Sequence, residues 1–168
     1  MLETILSESQ FDYIGEQDKQ FILSFTKAME QMGYTFGDTI GSGFCWGKHM
    51  LIFRRAGVKS KNVYARIYMS DGSIVLRLFF NNVTKHASFI SAAPQHIKEV
   101  FTGDYGNCKH CKGNACKFRK DYVIDGKAIE KCNGTTFTFF HPAFVHLLDY
   151  LSLFQEFYPK KKVLPNNP

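Results

Sequence analysis

Asn62-Val63-Tyr64-Ala65-Arg66-Ile67-Tyr68-Met69-Ser70-Asp71-Gly72-Ser73-Ile74-Val75-Leu76-Arg77-Leu78-Phe79-Phe80 decides the fold. Two runs of period two flank Asp71-Gly72, and a glycine that tolerates positive φ makes this pair a strong hairpin signal. Strands are expected over 62–69 and 74–80. Closing the hairpin at Asp71-Gly72 sets Met69 opposite Ile74, Tyr68 opposite Val75, Arg66 opposite Arg77 and Tyr64 opposite Phe79. One face of the pair is then wholly apolar and must be core. The other carries Arg66 and Arg77 among Tyr64, Tyr68 and Phe79.

Outward from this hairpin the period changes. Phe21, Ile22, Phe25, Ala28, Met29 and Met32 recur at spacings of three and four and predict a helix over 18–32, stopped at Gly33. A strand is expected over 44–54, and two short helical pieces over 84–90 and 94–102, broken at Pro94. Strands over 117–124 and 127–132 flank a second turn at Asp125-Gly126, followed by a strand over 135–140. A last helix, over roughly 143–158, would bury Phe144, Leu147, Leu148, Leu151 and Phe154 and stop at Pro159. The order implies an α+β domain with a largely antiparallel sheet of about five to six strands and helices on one face. Residues 1–159 read as a single domain, and 160–168 as a loose basic and proline-containing tail.

Within 168 residues, 45% are hydrophobic, which excludes a chain too polar to bury a core. No run of about 18 apolar residues exists, so a membrane helix is not expected. The net charge of +6 is uneven: 9 basic and 8 acidic residues lie in the first 84 positions, 12 and 7 in the rest. That favours anionic partners only weakly. Met1-Leu2-Glu3-Thr4-Ile5 lacks the basic start and apolar stretch of a secretion signal, so a reducing cytoplasm is expected. In that setting clustered cysteines point to metal ligation rather than disulfides.

The cluster is Cys108-x2-Cys111-x4-Cys116-x15-Cys132, in a loop over 104–134. The 117–132 hairpin sets residue 119 opposite Cys132, and a bulge near Asn133-Gly134 would help Cys116 reach it. Zn²⁺ suits four soft thiolates held tetrahedrally, and a site closed by four cysteines is structural. Lys109, Lys112, Lys117, Arg119, Lys120, Lys127 and Lys131 outnumber Asp121, Asp125 and Glu130 here. Such cations favour thiolate over thiol and offset the net negative charge of a four-thiolate zinc centre. An iron–sulfur cluster or a redox dithiol at Cys108 and Cys111 are the rival chemistries, and His110 or His141 could replace one thiolate. Cys45, in Gly43-Phe44-Cys45-Trp46-Gly47, is expected to be a buried, inert strand thiol, since His49 on the same strand face would lie too far off to act as its base. His86, His96 and His146 fall on expected helices and read as packed or surface residues.

Like charges directly opposite across a sheet destabilise it, so Arg66 and Arg77 need an offset. A protein carboxylate, a bound anion gripped by guanidinium, or open solvent could each supply it. Tyr64, Tyr68, Phe79 and Trp46 could stack a ring beside that anion. Three functions compete: a zinc-stabilised, non-catalytic domain binding a small anionic or aromatic ligand; a nucleic-acid-binding module using the basic loop and the stacking residues; and an enzyme. The enzyme ranks last, because no phosphate-binding glycine loop, H-E-x-x-H or G-x-S-x-G is present.

Overall fold

Residues 1–103 and 116–160 are described by a computed structural model. Cys108, Cys111, His110 and the tail beyond residue 160 lie outside the described residues. The helices are α1 (Leu2–Leu6), α2 (Glu16–Gln31), α3 (Ala87–Ala92), α4 (Gln95–Thr102) and α5 (Leu147–Phe157). The strands are β1 (Tyr34–Thr35), β2 (Gly41–Ser42), β3 (His49–Arg55), β4 (Ala65–Ser70), β5 (Ser73–Phe79), β6 (Lys120–Ile124), β7 (Lys127–Lys131) and β8 (Thr136–Phe140). The main sheet runs β1-β3-β4-β5-β8, with β2 also on β3, and every pair in it is antiparallel.

The central hairpin takes the expected register: Arg66 faces Arg77, Tyr68 faces Val75 and Met69 faces Ile74. Gly72, at φ +70°, supplies the left-handed residue that the turn needs. The apolar side of these strands, with Ile67, Met69, Ile74, Leu76, Leu78, Phe137 and Phe139, joins the helices in one core. Phe25 of α2 meets Phe53 edge-on, Phe101 of α4 stacks on Phe137 at 4.3 Å, and Tyr150 of α5 meets Phe139. Helices therefore cover one face of the sheet. A mixed α+β architecture with a mostly antiparallel sheet is what the alternating periods imply.

Several expectations need correction. The strand expected from residue 44 begins only at His49, and Phe44–Trp46 is a 3-10 turn. Cys45 is accordingly exposed on that turn, not buried in a strand. The Asp125-Gly126 hairpin forms, with both turn residues at positive φ, but β6 and β7 make a separate two-stranded sheet. The physical reason is competition for one edge: β8 takes the free side of β5, leaving the hairpin to pack through Tyr122, Ile124 and Ile129.

Tyr64 stands just before β4, where alternation no longer applies. Its ring turns to the core side and packs on Tyr34 and Tyr158, both with centroids at 4.9 Å, so it leaves the arginine face. In the last helix Leu148 is 74% exposed, because a 3-10 turn at Phe144–His146 shifts the helical phase to bury Tyr150, Leu153 and Phe154. No helix among the described residues is long and apolar enough to cross a membrane.

Candidate functional site

The sheet face opposite the helices is not a second core. Register places Ile52, Arg66, Arg77 and Thr138 in one row across β3, β4, β5 and β8, and Met50, Tyr68, Val75 and Phe140 in the next. Met50, Tyr68 and Val75 form a small buried cluster separate from the main core. Phe140 at the strand end stays 62% exposed. Sequence alternation through 135–140 could have found Phe140, since Phe137 and Phe139 take the core side.

The Gly43–Gly47 loop is built to overhang this face. A Cβ on Gly43 would come within 2.3 Å of the Gly47 carbonyl oxygen, and one on Gly47 within 2.6 Å of the Met69 carbonyl oxygen. Both positions therefore require glycine for close backbone approach. Phe44 between them has φ +52°, a conformation that a bulky residue adopts only under constraint, yet its side chain is 80% exposed. Lys48 N–H donates to the Met69 carbonyl at 2.8 Å and ties the loop to β4. The result holds the Trp46 ring 3.6 Å from the Arg77 guanidinium, with Tyr68 and Phe140 around 6 Å away.

Among the described residues no carboxylate lies within ion-pair distance of Arg66 or Arg77. Arg66 Nη1 donates to the Tyr68 hydroxyl at 3.1 Å, and its guanidinium lies 5.4 Å from the Phe79 ring centroid. The Nε–H groups of both arginines are buried and lack a hydrogen-bond acceptor. Burial pulls the Arg77 pKa below its ordinary value; Tyr68 opposes this, and Arg66 adds to it. The offset for two opposed cations is thus aromatic rather than carboxylate, and it leaves donors unsatisfied. Cys45 is close enough to act on the Arg77 charge, whereas His49 turns away to a 2.7 Å hydrogen bond with the Tyr13 hydroxyl. Of the six residues expected here, Arg66, Arg77, Tyr68, Phe79 and Trp46 come together and Tyr64 does not.

Of the cysteine quartet, Cys116 and Cys132 are described. Cys116 opens a turn closed by the Arg119 N–H at 3.0 Å, and the Gly134 N–H donates to the Phe118 carbonyl at 2.9 Å. This extends the β6–β7 ladder, which pairs Lys120 with Lys131, toward the end carrying both cysteines. Asn133 takes φ +53°, so the chain turns sharply where a bulge was expected. The buried Lys131 ammonium donates to the carbonyls of Thr136, Asn133 and Cys132, at 2.7, 3.3 and 3.5 Å. Burial pushes its pKa down to about 8, with Cys132 opposing. Two of the expected ligands and a positive charge therefore lie toward one end of the hairpin. Among the described residues no group of three metal-ligating side chains includes a cysteine.

Two clefts of about 400 and 440 Å³ lie elsewhere, one beside Asn82 and Lys120 and one beside Asp18 and His141. Compared with protein-family models, curated proteins and solved structures, the chain matches none. What defines it is its own geometry: an α+β domain with a helix-covered core and an outer sheet face of arginines and aromatic rings.

Proposed function

We propose that this chain is a zinc-stabilised, non-catalytic binding domain whose outer sheet face takes a small ligand both anionic and aromatic. Nucleotide chemistry unites the two. The supporting observation is the Arg66 and Arg77 pair, opposed across β4 and β5 with buried, acceptor-less Nε–H groups and no carboxylate in reach among the described residues. A phosphate or carboxylate would accept from both guanidinium groups, and a base or ring would lie against Trp46 or Phe140. Zn²⁺ on Cys108, Cys111, Cys116 and Cys132 would hold the 104–134 loop, with Lys131 offsetting part of the thiolate charge. A cytoplasmic location goes with that ligand set, because thiolates survive there.

One observation favours a nucleic-acid partner as the second reading. The rim of the face is open: Trp46 over Arg77, Phe140 beside it and Phe44 on the same loop as Trp46 are exposed, as stacking surfaces for a single strand.

Equilibrium titration with a nucleoside monophosphate and with a single-stranded oligonucleotide, each at low and high salt, decides between them. Micromolar to millimolar mononucleotide binding, lost in Arg66→Ala and Arg77→Ala, is the expected result. Oligonucleotide binding alone, with affinity falling steeply as salt rises, would favour the second reading. Binding of neither at low salt would remove both.

A further inference from the structure

We infer that His96, His146 and Asp149 form a binding site for a divalent transition-metal ion on the helical side of the molecule. His96 is on α4, His146 closes the 3-10 turn before α5, and Asp149 sits in the first turn of α5. The spacing of three puts His146 and Asp149 on one helical face. One carboxylate oxygen, Asp149 Oδ2, lies 3.1 Å from His96 Nε2 and 3.3 Å from His146 Nδ1. All three donor atoms lie within 4.8 Å of one another. A tetrahedral ion with bonds of about 2.0–2.1 Å spaces its ligand atoms by about 3.3 Å. Two of the three edges already have about that length, and the third is no longer than 4.8 Å.

The orientation of the donors adds a second, independent observation. His96 Nε2 is buried and has no hydrogen-bond partner, although the carboxylate oxygen is 3.1 Å away. Ligands of one ion aim their lone pairs at the ion, not at each other. A second histidine–carboxylate pair, whose Glu156 lies on the same helix as Asp149, shows the contrast: His86 Nδ1 and Glu156 make a well-formed 2.8 Å hydrogen bond. The His96 and His146 rings lie tilted at 30° to each other with centroids 3.9 Å apart, so both imidazoles stand on the same side of Asp149. Tyr150 packs edge-on against His96 at 5.8 Å and fixes that ring.

The donor set of two imidazoles and a carboxylate suits zinc, iron(II), cobalt or nickel rather than magnesium or calcium. Three protein ligands leave at least one coordination position open, the pattern of reactive rather than structural sites. Asp149 also lines an apolar cleft of about 240 Å³ with Phe89, Ala92, Pro94, Ile97 and Ser152, so a molecule in the cleft would lie beside the ion.

The test is Co²⁺ titration of the full chain, followed by visible and near-ultraviolet absorption and by bound stoichiometry. The expected result is one equivalent without thiolate-to-cobalt charge-transfer absorption. His96→Ala and the near-isosteric Asp149→Asn should each weaken that equivalent tenfold or more, and His86→Ala should leave it unchanged. Any thiolate-type equivalent would persist in all three variants, so failure of the cysteine site and failure of this one are separable. If His96→Ala misfolds by circular dichroism, Asp149→Asn alone decides. A wild-type chain with no thiolate-free equivalent, or variants that bind it as tightly as wild type, would overturn the inference.

Discussion

Replacing Arg77 by methionine should cost little or no stability while weakening ligand binding. Arg77 gains a cation–π contact with Trp46 at 3.6 Å, and a partly desolvated contact of this kind contributes about 1–2 kcal/mol. Against it stand a buried Nε–H without an acceptor and a like charge directly opposite on Arg66. The first costs about 1–3 kcal/mol and the second roughly 0.2–1 kcal/mol. Methionine keeps an apolar stem under the Trp46 ring and adds a sulfur–aromatic contact. The balance runs from about −1 to about +3 kcal/mol, centred near +1 in favour of Arg77→Met, and each kcal/mol raises Tm by about 2–4 °C in a chain of this size. Urea unfolding checks the stability. Trp46, the single tryptophan of the chain, reports binding by its fluorescence. Losing a charge-assisted hydrogen bond of about 1.5–3 kcal/mol should raise the Kd for a nucleoside monophosphate by roughly tenfold to a hundredfold. A variant that loses more than about 1 kcal/mol yet binds as wild type does would show that Arg77 serves packing and refute the reasoning.

Other expectations follow from particular contacts. Gly47→Ala puts a Cβ 2.6 Å from the Met69 carbonyl oxygen, backbone that cannot step aside, so a loss of about 1–3 kcal/mol and weaker ligand binding should appear together in melting and fluorescence titrations. Lys131 is held down to about 8 by burial, so the unfolded chain keeps this proton to higher pH than the folded one does. Stability relative to Lys131→Met should therefore rise from pH 8 upward, by at most about 3 kcal/mol once past the ordinary lysine value near 10.4. Burial raises the pKa of Tyr13 to about 12 and raises that of Tyr158. Unfolded tyrosines ionise first, which lowers stability above about pH 10 in both proteins and leaves pH 8 to 9.5 as the window to compare. A flat difference between the two there would contradict the burial of the ammonium. Chelation should remove the thiolate-held zinc and raise amide exchange in β6, β7 and the turn at Cys132, with little change in β3 to β5; uniform loss of protection would contradict a local metal clasp.

The register of the central hairpin was legible in the sequence, down to Arg66 opposite Arg77, because period two and one glycine turn leave a single register. Helix α2 was legible for the same reason, with Gly33 at φ +88° ending it. The strand expected from residue 44 was not, since Phe-Cys-Trp has strand-like composition and only the close approach of Gly43 and Gly47 to neighbouring backbone dictates a turn. Tyr64 shows that alternation holds only inside a paired strand, as β4 starts one residue later. The separation of β6 and β7 from the main sheet depended on which strand captured the edge of β5, a choice made by tertiary packing rather than by local pattern. His96, His146 and Asp149 were hidden for a similar cause: their meeting depends on α4 crossing the start of α5, some fifty positions along the chain.

The most direct measurement of the claim for the outer face is a nuclear magnetic resonance titration that follows the Nε–H signals of Arg66 and Arg77 and the indole N–H of Trp46. Addition of a nucleoside monophosphate should shift all three together, at one saturating affinity, while the histidine signals of His96 and His146 stay still. Saturable binding that moves other residues and leaves both arginine signals in place would contradict the account.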